Sequence, residues 1–137
     1  MDRVQMAVAA LHSGREGTRK NIAGEGVRAL VENYGSQPKD IIAYIGAGIC
    51  HSHYEVSAEL YDDFNSSLIS AGLNPDTSLH RHVNIRKTIF QQLIKAGLTF
   101  RNIENITDCT FEDTNYHSYR REGTHNRQIN LVGIIDE

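Results

Sequence analysis

Three times along this chain an apolar repeat with helical spacing runs into a glycine, and that pattern restricts the fold more than any other feature. From Thr18 onward, Ile22, Ala23, Val27, Leu30, Val31 and Tyr34 recur at helical intervals, and Gly35 stands where the left-handed residue after a helix belongs. Ser57 is placed to cap "AELYDDFNSSLISAG", in which Leu60, Phe64 and Leu68 line one face and Gly72 closes the segment. Asn84 caps a third repeat, Ile85, Ile89 and Leu93, which Gly97 ends. A helix with one apolar stripe must lay it against another element. The spacing therefore predicts about three amphipathic helices over a common core.

The intervening segments supply the other layer. "QMAVAALH", residues 5–12, has the short apolar character of a buried strand, and "DIIAYIG", residues 40–46, reads the same way. Strand, helix, strand in this order predicts a crossover unit with a parallel pair. After the third helix, "NIENITDCTFED", "YHSYRRE" and "RQINLVGIID" read as three short strands, with a turn at Gly123. The expected fold is α/β or α+β: one domain over residues 1–137 with a mixed sheet and no internal boundary, repeat or low-complexity tract.

A chain of 137 residues buries roughly two thirds of its unfolded surface and needs no covalent staple. Its net charge of -3 gives no electrostatic footprint for nucleic acid. "MDRVQMAVAALH" lacks the basic start, long apolar core and cleavage site of a signal peptide, and no apolar run reaches bilayer-spanning length. A cytoplasmic protein without a membrane partner is expected. Cys50 and Cys109 form no CxxC pair and are expected to be free thiols.

Several residues carry chemical potential. His12 ends the first apolar run just before a glycine-containing turn, where side chains of open α/β sheets reach ligands. A partly buried histidine bonded to backbone fits the same position. Gly24 and Gly26 each cost roughly 1 kcal/mol in a helix interior, which points to close packing of that helix on a sheet. "GAGICHSHYEV" holds Cys50, His51 and His53, and Cys-x-x-His is half of a zinc site. His80, His82, Cys109, His117 and His125 do not form a second paired knuckle, so Cys50 reads more simply as a small buried hydrophobe. Arg120, Arg121 and Arg127 surround the Gly123 turn, and their guanidinium forks suit phosphate or carboxylate; a solvated hairpin accounts for them as well. Arg86 and Lys87 follow the Asn84 cap, where cations oppose the helix dipole and favour a nearby anion.

Together the motifs resemble the laccase-domain proteins, also called multicopper polyphenol oxidase-like. "AVAALHSGREGT" is similar to their His-Ala-Gly-Trp-Arg-Gly-Thr strand and turn, and "IGAGICHSHYEVSAEL" to their Gly-Pro-x-Ile segment ending in Tyr-Glu-Val. "VNIRKTIFQQLIKAGL" resembles their Asn-containing helix, and "DCTFEDTNYHSYRREGTHNRQ" their Cys-Thr stretch with Ser-Tyr-Arg-Arg and a glycine-arginine turn. Arg15, Glu16 and His117 stand where the family usually has tryptophan, arginine and phenylalanine.

The resemblance implies the C-terminal half of the laccase-domain fold and zinc-dependent purine nucleoside chemistry, either phosphorolysis or adenosine deamination. It makes His12 a zinc ligand, with purine nucleoside and phosphate as small-molecule partners and Arg120, Arg121 or Arg127 on the phosphate. The family's site uses two histidines and one cysteine, and two of these three ligands belong to a segment upstream of anything matched here. By that resemblance the isolated chain is an incomplete enzyme, completed by the missing half or by a homodimer. Two alternatives stand beside it: a non-catalytic fragment or binding module, and a cysteine hydrolase using Cys109 with His12.

Overall fold

The helical repeats form where their caps place them, and the computed structural model describes residues 1–135. The first repeat forms α2 (Ile22–Tyr34), preceded by a short helix, α1 (Arg15–Arg19). The two helices are separated at Asn21, which adopts a left-handed φ of 63° while its side chain accepts the Gly24 N–H and caps α2. Helix α2 ends at Gly35, whose φ of 70° suits a residue without Cβ. Ser57 Oγ accepts the Leu60 N–H at 3.2 Å and opens α3 (Ala58–Ser70). Asn84 Oδ1 accepts the Lys87 N–H at 3.0 Å and opens α4 (Ile85–Lys95).

Two apolar clusters form the interior. Ala23, Val27 and Leu30 of α2 meet Leu93 of α4 together with Ile41 and Ile45. Tyr61, Phe64 and Leu68 of α3 pack with Val56, Leu73 and Val83. The Leu11 side chain lies directly over Gly26, and the Asn21 cap lies over Gly24. The close packing expected of these glycines is therefore against a preceding segment and a cap, not against a sheet.

β1 (Ala43–Ile45) pairs in parallel with β2 (Ile103–Asn105), and α3 and α4 lie in the connection. Tyr44 faces Glu104 in register, and an isolated parallel bridge between Gly48 and Cys109 extends the pairing. The mixed α/β class holds, with a small parallel sheet, three longer helices, and two short ones, α1 and α5 (Tyr119–Glu122).

The parallel partner of residues 43–45 is not residues 5–12. Asp2 Oδ1 accepts the Val4 and Gln5 N–H groups and closes a turn, with an antiparallel bridge from Asp2 to Ala7. Residues 8–12 then run without regular structure. Of 102–113 only 103–105 is strand, because the next residues turn around Cys109. Within 116–122, Ser118 Oγ accepts the Arg121 N–H and starts α5 in place of a strand. Residues 127–135 carry no strand, and Asp136 lies outside the described residues. No helix among the described residues is long and apolar enough to cross a membrane.

Candidate functional site

The two parallel strands end in two tight turns that face each other. The Gly48 N–H donates to Asp108 O at 3.3 Å, and the Thr110 N–H donates to Gly48 O at 3.2 Å. One turn runs from Cys50 to His53, whose N–H donates to Cys50 O at 3.1 Å. The other runs from Cys109 to Glu112, whose N–H donates to Cys109 O at 3.1 Å. Each turn presents a thiol and, three residues later, a nitrogen or oxygen ligand. This lies beyond the carboxyl ends of parallel strands, where α/β sheets place their ligand sites.

The four side chains converge. Cys50 Sγ lies 3.1 Å from His53 Nδ1, Cys109 Sγ lies 3.9 Å from the same nitrogen, and Glu112 Oε1 lies 3.3 Å from it. Cys50 Sγ is 3.8 Å from Glu112 Oε1, and all four ligand atoms fall within 4.8 Å of one another. The His53 ring stacks on Phe111, centroids 4.5 Å apart and 17° from parallel, which fixes its plane. Cys109 is buried, Cys50 and His53 are half-buried, and Glu112 is exposed, so the cluster opens to solvent on its carboxylate side.

The thiols differ electrostatically. Burial pushes the Cys50 thiol up. Burial also raises Cys109, but hydrogen bonds from the Cys50 thiol and from the backbone N–H groups of Cys50, Glu112 and Phe111 outweigh it and leave Cys109 lowered to about 7. The Cys50 N–H sits 3.2 Å from Cys109 Sγ. Both cysteines are free, as expected, yet Cys50 is not the buried hydrophobe that its sequence context suggested.

The arginines divide by role. Arg121 Nη1 donates to the carbonyls of Thr110, Phe111 and Asp113, and its Nη2 donates to Tyr116 O at 2.7 Å. Its guanidinium thus clamps the Cys109–Glu112 turn from behind. Arg120 is exposed, donates to Glu55 O at 2.8 Å and lies over the Tyr54 ring. Arg127 is exposed and donates to Thr124 O and Asn126 O at the turn after Gly123. His12 is exposed, with its Nε2 folded over Gly14. The histidine beside Cys109 is His53, so the structure does not build a Cys109–His12 pair.

Glu112 is the residue the sequence reading missed. Its signal is the repeated spacing: Cys109-x-x-Glu112 matches Cys50-x-x-His53, but a search for a second knuckle made of cysteine and histidine passes over a carboxylate. Arg86 and Lys87 also find partners, since Arg86 donates to Asp108 O at 3.0 Å and Lys87 Nζ lies 3.4 Å from Asp76 Oδ2.

A small mixed α/β domain with a cysteine, histidine and carboxylate cluster beyond its parallel pair is the class these features define. The family described as multi-copper polyphenol oxidoreductase laccase matches residues 1–135, and the chain belongs to it. A purine nucleoside phosphorylase of Corynebacterium glutamicum is 32% identical over 130 residues, covering 95% of this chain and 51% of that protein. Purine nucleoside phosphorylase YlmD of Bacillus subtilis is 30% identical over 137 residues, covering 97% of this chain and 49% of that protein. The crystal structure of YlmD from Geobacillus stearothermophilus superposes with a TM-score of 0.69 at 26% identity, over 80% of this chain and 42% of that one. The chain spans about half the length of the curated relatives it matches.

Proposed function

We propose that the chain takes part in phosphorolysis of purine nucleosides, as the portion of the catalytic protein that carries His12. Phosphate oxygen attacks the anomeric carbon, the N-glycosidic bond breaks, and the base leaves with the electron pair and takes up a proton. The observation that carries the reading is His12 itself: an exposed imidazole in the segment that resembles the family's His-Ala-Gly-Trp-Arg-Gly-Thr motif, in a chain whose relatives are named purine nucleoside phosphorylase. Arg120 and Arg127 are exposed around the following turns and suit phosphate, while Arg121 supports the turn beneath.

One imidazole does not hold zinc. Among the described residues, the group of side chains arranged to share a metal ion does not include His12. The residues present therefore do not complete the metal site that the family resemblance implies, and no catalytic step is assigned to a metal at His12. The reading requires a second copy or further polypeptide to bring the remaining ligands.

The test is phosphate-dependent release of base from inosine or adenosine by the protein as its gene specifies it, repeated with His12→Ala. Release that needs phosphate and falls to background in the variant supports the reading. Absence of release assigns the chain to a non-catalytic binding role instead, and release indifferent to the substitution removes His12 from the chemistry.

A further inference from the structure

We propose that Cys50, His53, Cys109 and Glu112 form a structural zinc site that clasps the two turns beyond the parallel pair, separate from the His12 chemistry. The inference does not rest on the proposed phosphorolysis.

The geometry is that of a ligand shell. Tetrahedral zinc, with Zn–S near 2.3 Å and Zn–N or Zn–O near 2.0–2.1 Å, sets ligand-to-ligand edges of about 3.8 Å between sulfurs, about 3.5 Å from sulfur to nitrogen and about 3.3 Å from nitrogen to oxygen. The two sulfur-to-nitrogen separations here, 3.1 and 3.9 Å, bracket that edge, and the nitrogen-to-oxygen separation is 3.3 Å. The Cys50 sulfur and Glu112 oxygen are 3.8 Å apart. One ligand atom from each of the four side chains lies within 4.8 Å of all the others, with Cys109 buried and Glu112 at the solvent side.

The donor set selects the metal. Two thiolates and an imidazole favour zinc over magnesium or calcium, which take oxygen ligands. Both ligand pairs follow the short knuckle spacing of structural zinc sites, and each pair sits on a turn closed by a backbone hydrogen bond. The supporting contacts are those a metal site needs to hold its ligands in place: Phe111 fixes the His53 plane, and Arg121 pins the turn that carries Cys109 and Glu112. Binding exchanges the thiol protons of Cys50 and Cys109 for the metal, releasing them to solvent, with no change in oxidation state.

The experiment uses the reduced chain, stripped with a chelator and titrated with Co²⁺ and then Zn²⁺. One equivalent of cobalt giving a thiolate charge-transfer band and tetrahedral visible bands, displaced by one equivalent of zinc, is the expected result. Cys50→Ser and Cys109→Ser should abolish the charge-transfer intensity stepwise, and His53→Ala should weaken binding roughly 100-fold or more, given the size of effect that second-shell losses alone produce. Glu112→Gln changes an exposed side chain, tests the site without disturbing the core, and should shift the visible bands. His12→Ala should bind as the parent does. Failure to take up cobalt or zinc in the reduced chain overturns the proposal. So does binding without a thiolate band, or binding lost in His12→Ala and kept in Cys109→Ser. Loss of nucleoside phosphorolysis with this metal retained would separate failure at His12 from failure here.

Discussion

Among the described residues, Asp76 binds more of its surroundings than any other carboxylate outside the cysteine cluster. Its Oδ1 accepts the Ser78 hydroxyl at 2.6 Å and the Ser78 N–H at 3.2 Å. Its Oδ2 accepts from Asn84 Nδ2 at 2.9 Å and faces Lys87 Nζ at 3.4 Å and His51 Nδ1 at 3.6 Å. The Ser78 hydroxyl, followed by the Asn84 amide, the Ser78 N–H and the His51 ring, outweighs burial and holds the carboxyl well below the usual carboxylate range. A depressed folded-state pKa stabilises the protein above the unfolded value near about 4, and the stabilisation is lost as pH falls through the folded value. Asp76→Asn is expected to cost about 1.5–3 kcal/mol at neutral pH, the range for hydrogen bonds to a charged group. Thermal unfolding of parent and variant, followed from pH 7 down to strongly acidic buffer, should show the gap between them closing below about pH 4. A gap independent of pH would mean that the ionised carboxylate contributes nothing.

At the level of elements, the helices were legible in the sequence and the strands largely were not. Periodicity and caps are local properties: Ser57, Asn84 and Gly35 act within a few residues of where they stand, and all three do what their positions imply. A three-residue strand is defined by a partner, and nothing near Ala43–Ile45 announces that its partner is Ile103–Asn105 rather than the apolar run at 5–12. The cysteine cluster shared that fate. Its Cys50–His53 half is contiguous and visible, while its other half arrives only through the parallel pairing. The two caps differ in a way that can be measured. Ser57→Ala should cost about 1 kcal/mol, the worth of a cap alone. Asn84→Asp keeps a capping oxygen for the Lys87 N–H but sets a second carboxylate against Asp76 Oδ2, now 2.9 Å from the Asn84 amide. It should therefore destabilise at neutral pH despite its intact cap, and recover relative to the parent in acid. Chemical denaturation at pH 7 and pH 3 checks both, and a neutral effect of Asn84→Asp at pH 7 would show that the cap dominates the repulsion.

At the scale of the whole molecule, the two apolar clusters leave the segment after Gly123 without a place in either. Ile129, Leu131 and Ile135 are 85%, 92% and 89% exposed, and at odd-numbered positions they would share one face of the segment if it paired as a strand. The strand expected over "RQINLVGIID" does not form across its described residues, 127–135. β1 and β2 form a two-stranded sheet, small for a stable unit by itself, in a chain spanning about half the length of its curated relatives. A row of exposed apolar side chains on a segment without regular structure favours association with a second copy of the chain. The chain is expected to self-associate as concentration rises, and Ile129→Asp with Leu131→Asp should shift it toward monomer. Because both side chains are solvent-exposed in the single chain, unfolding stability measured at low concentration should change by no more than about 0.5 kcal/mol. Sedimentation equilibrium distinguishes the cases: a parent chain that stays monomeric at high concentration removes the exposed row as a self-association surface. Association that persists in the double variant moves the interface elsewhere on the molecule.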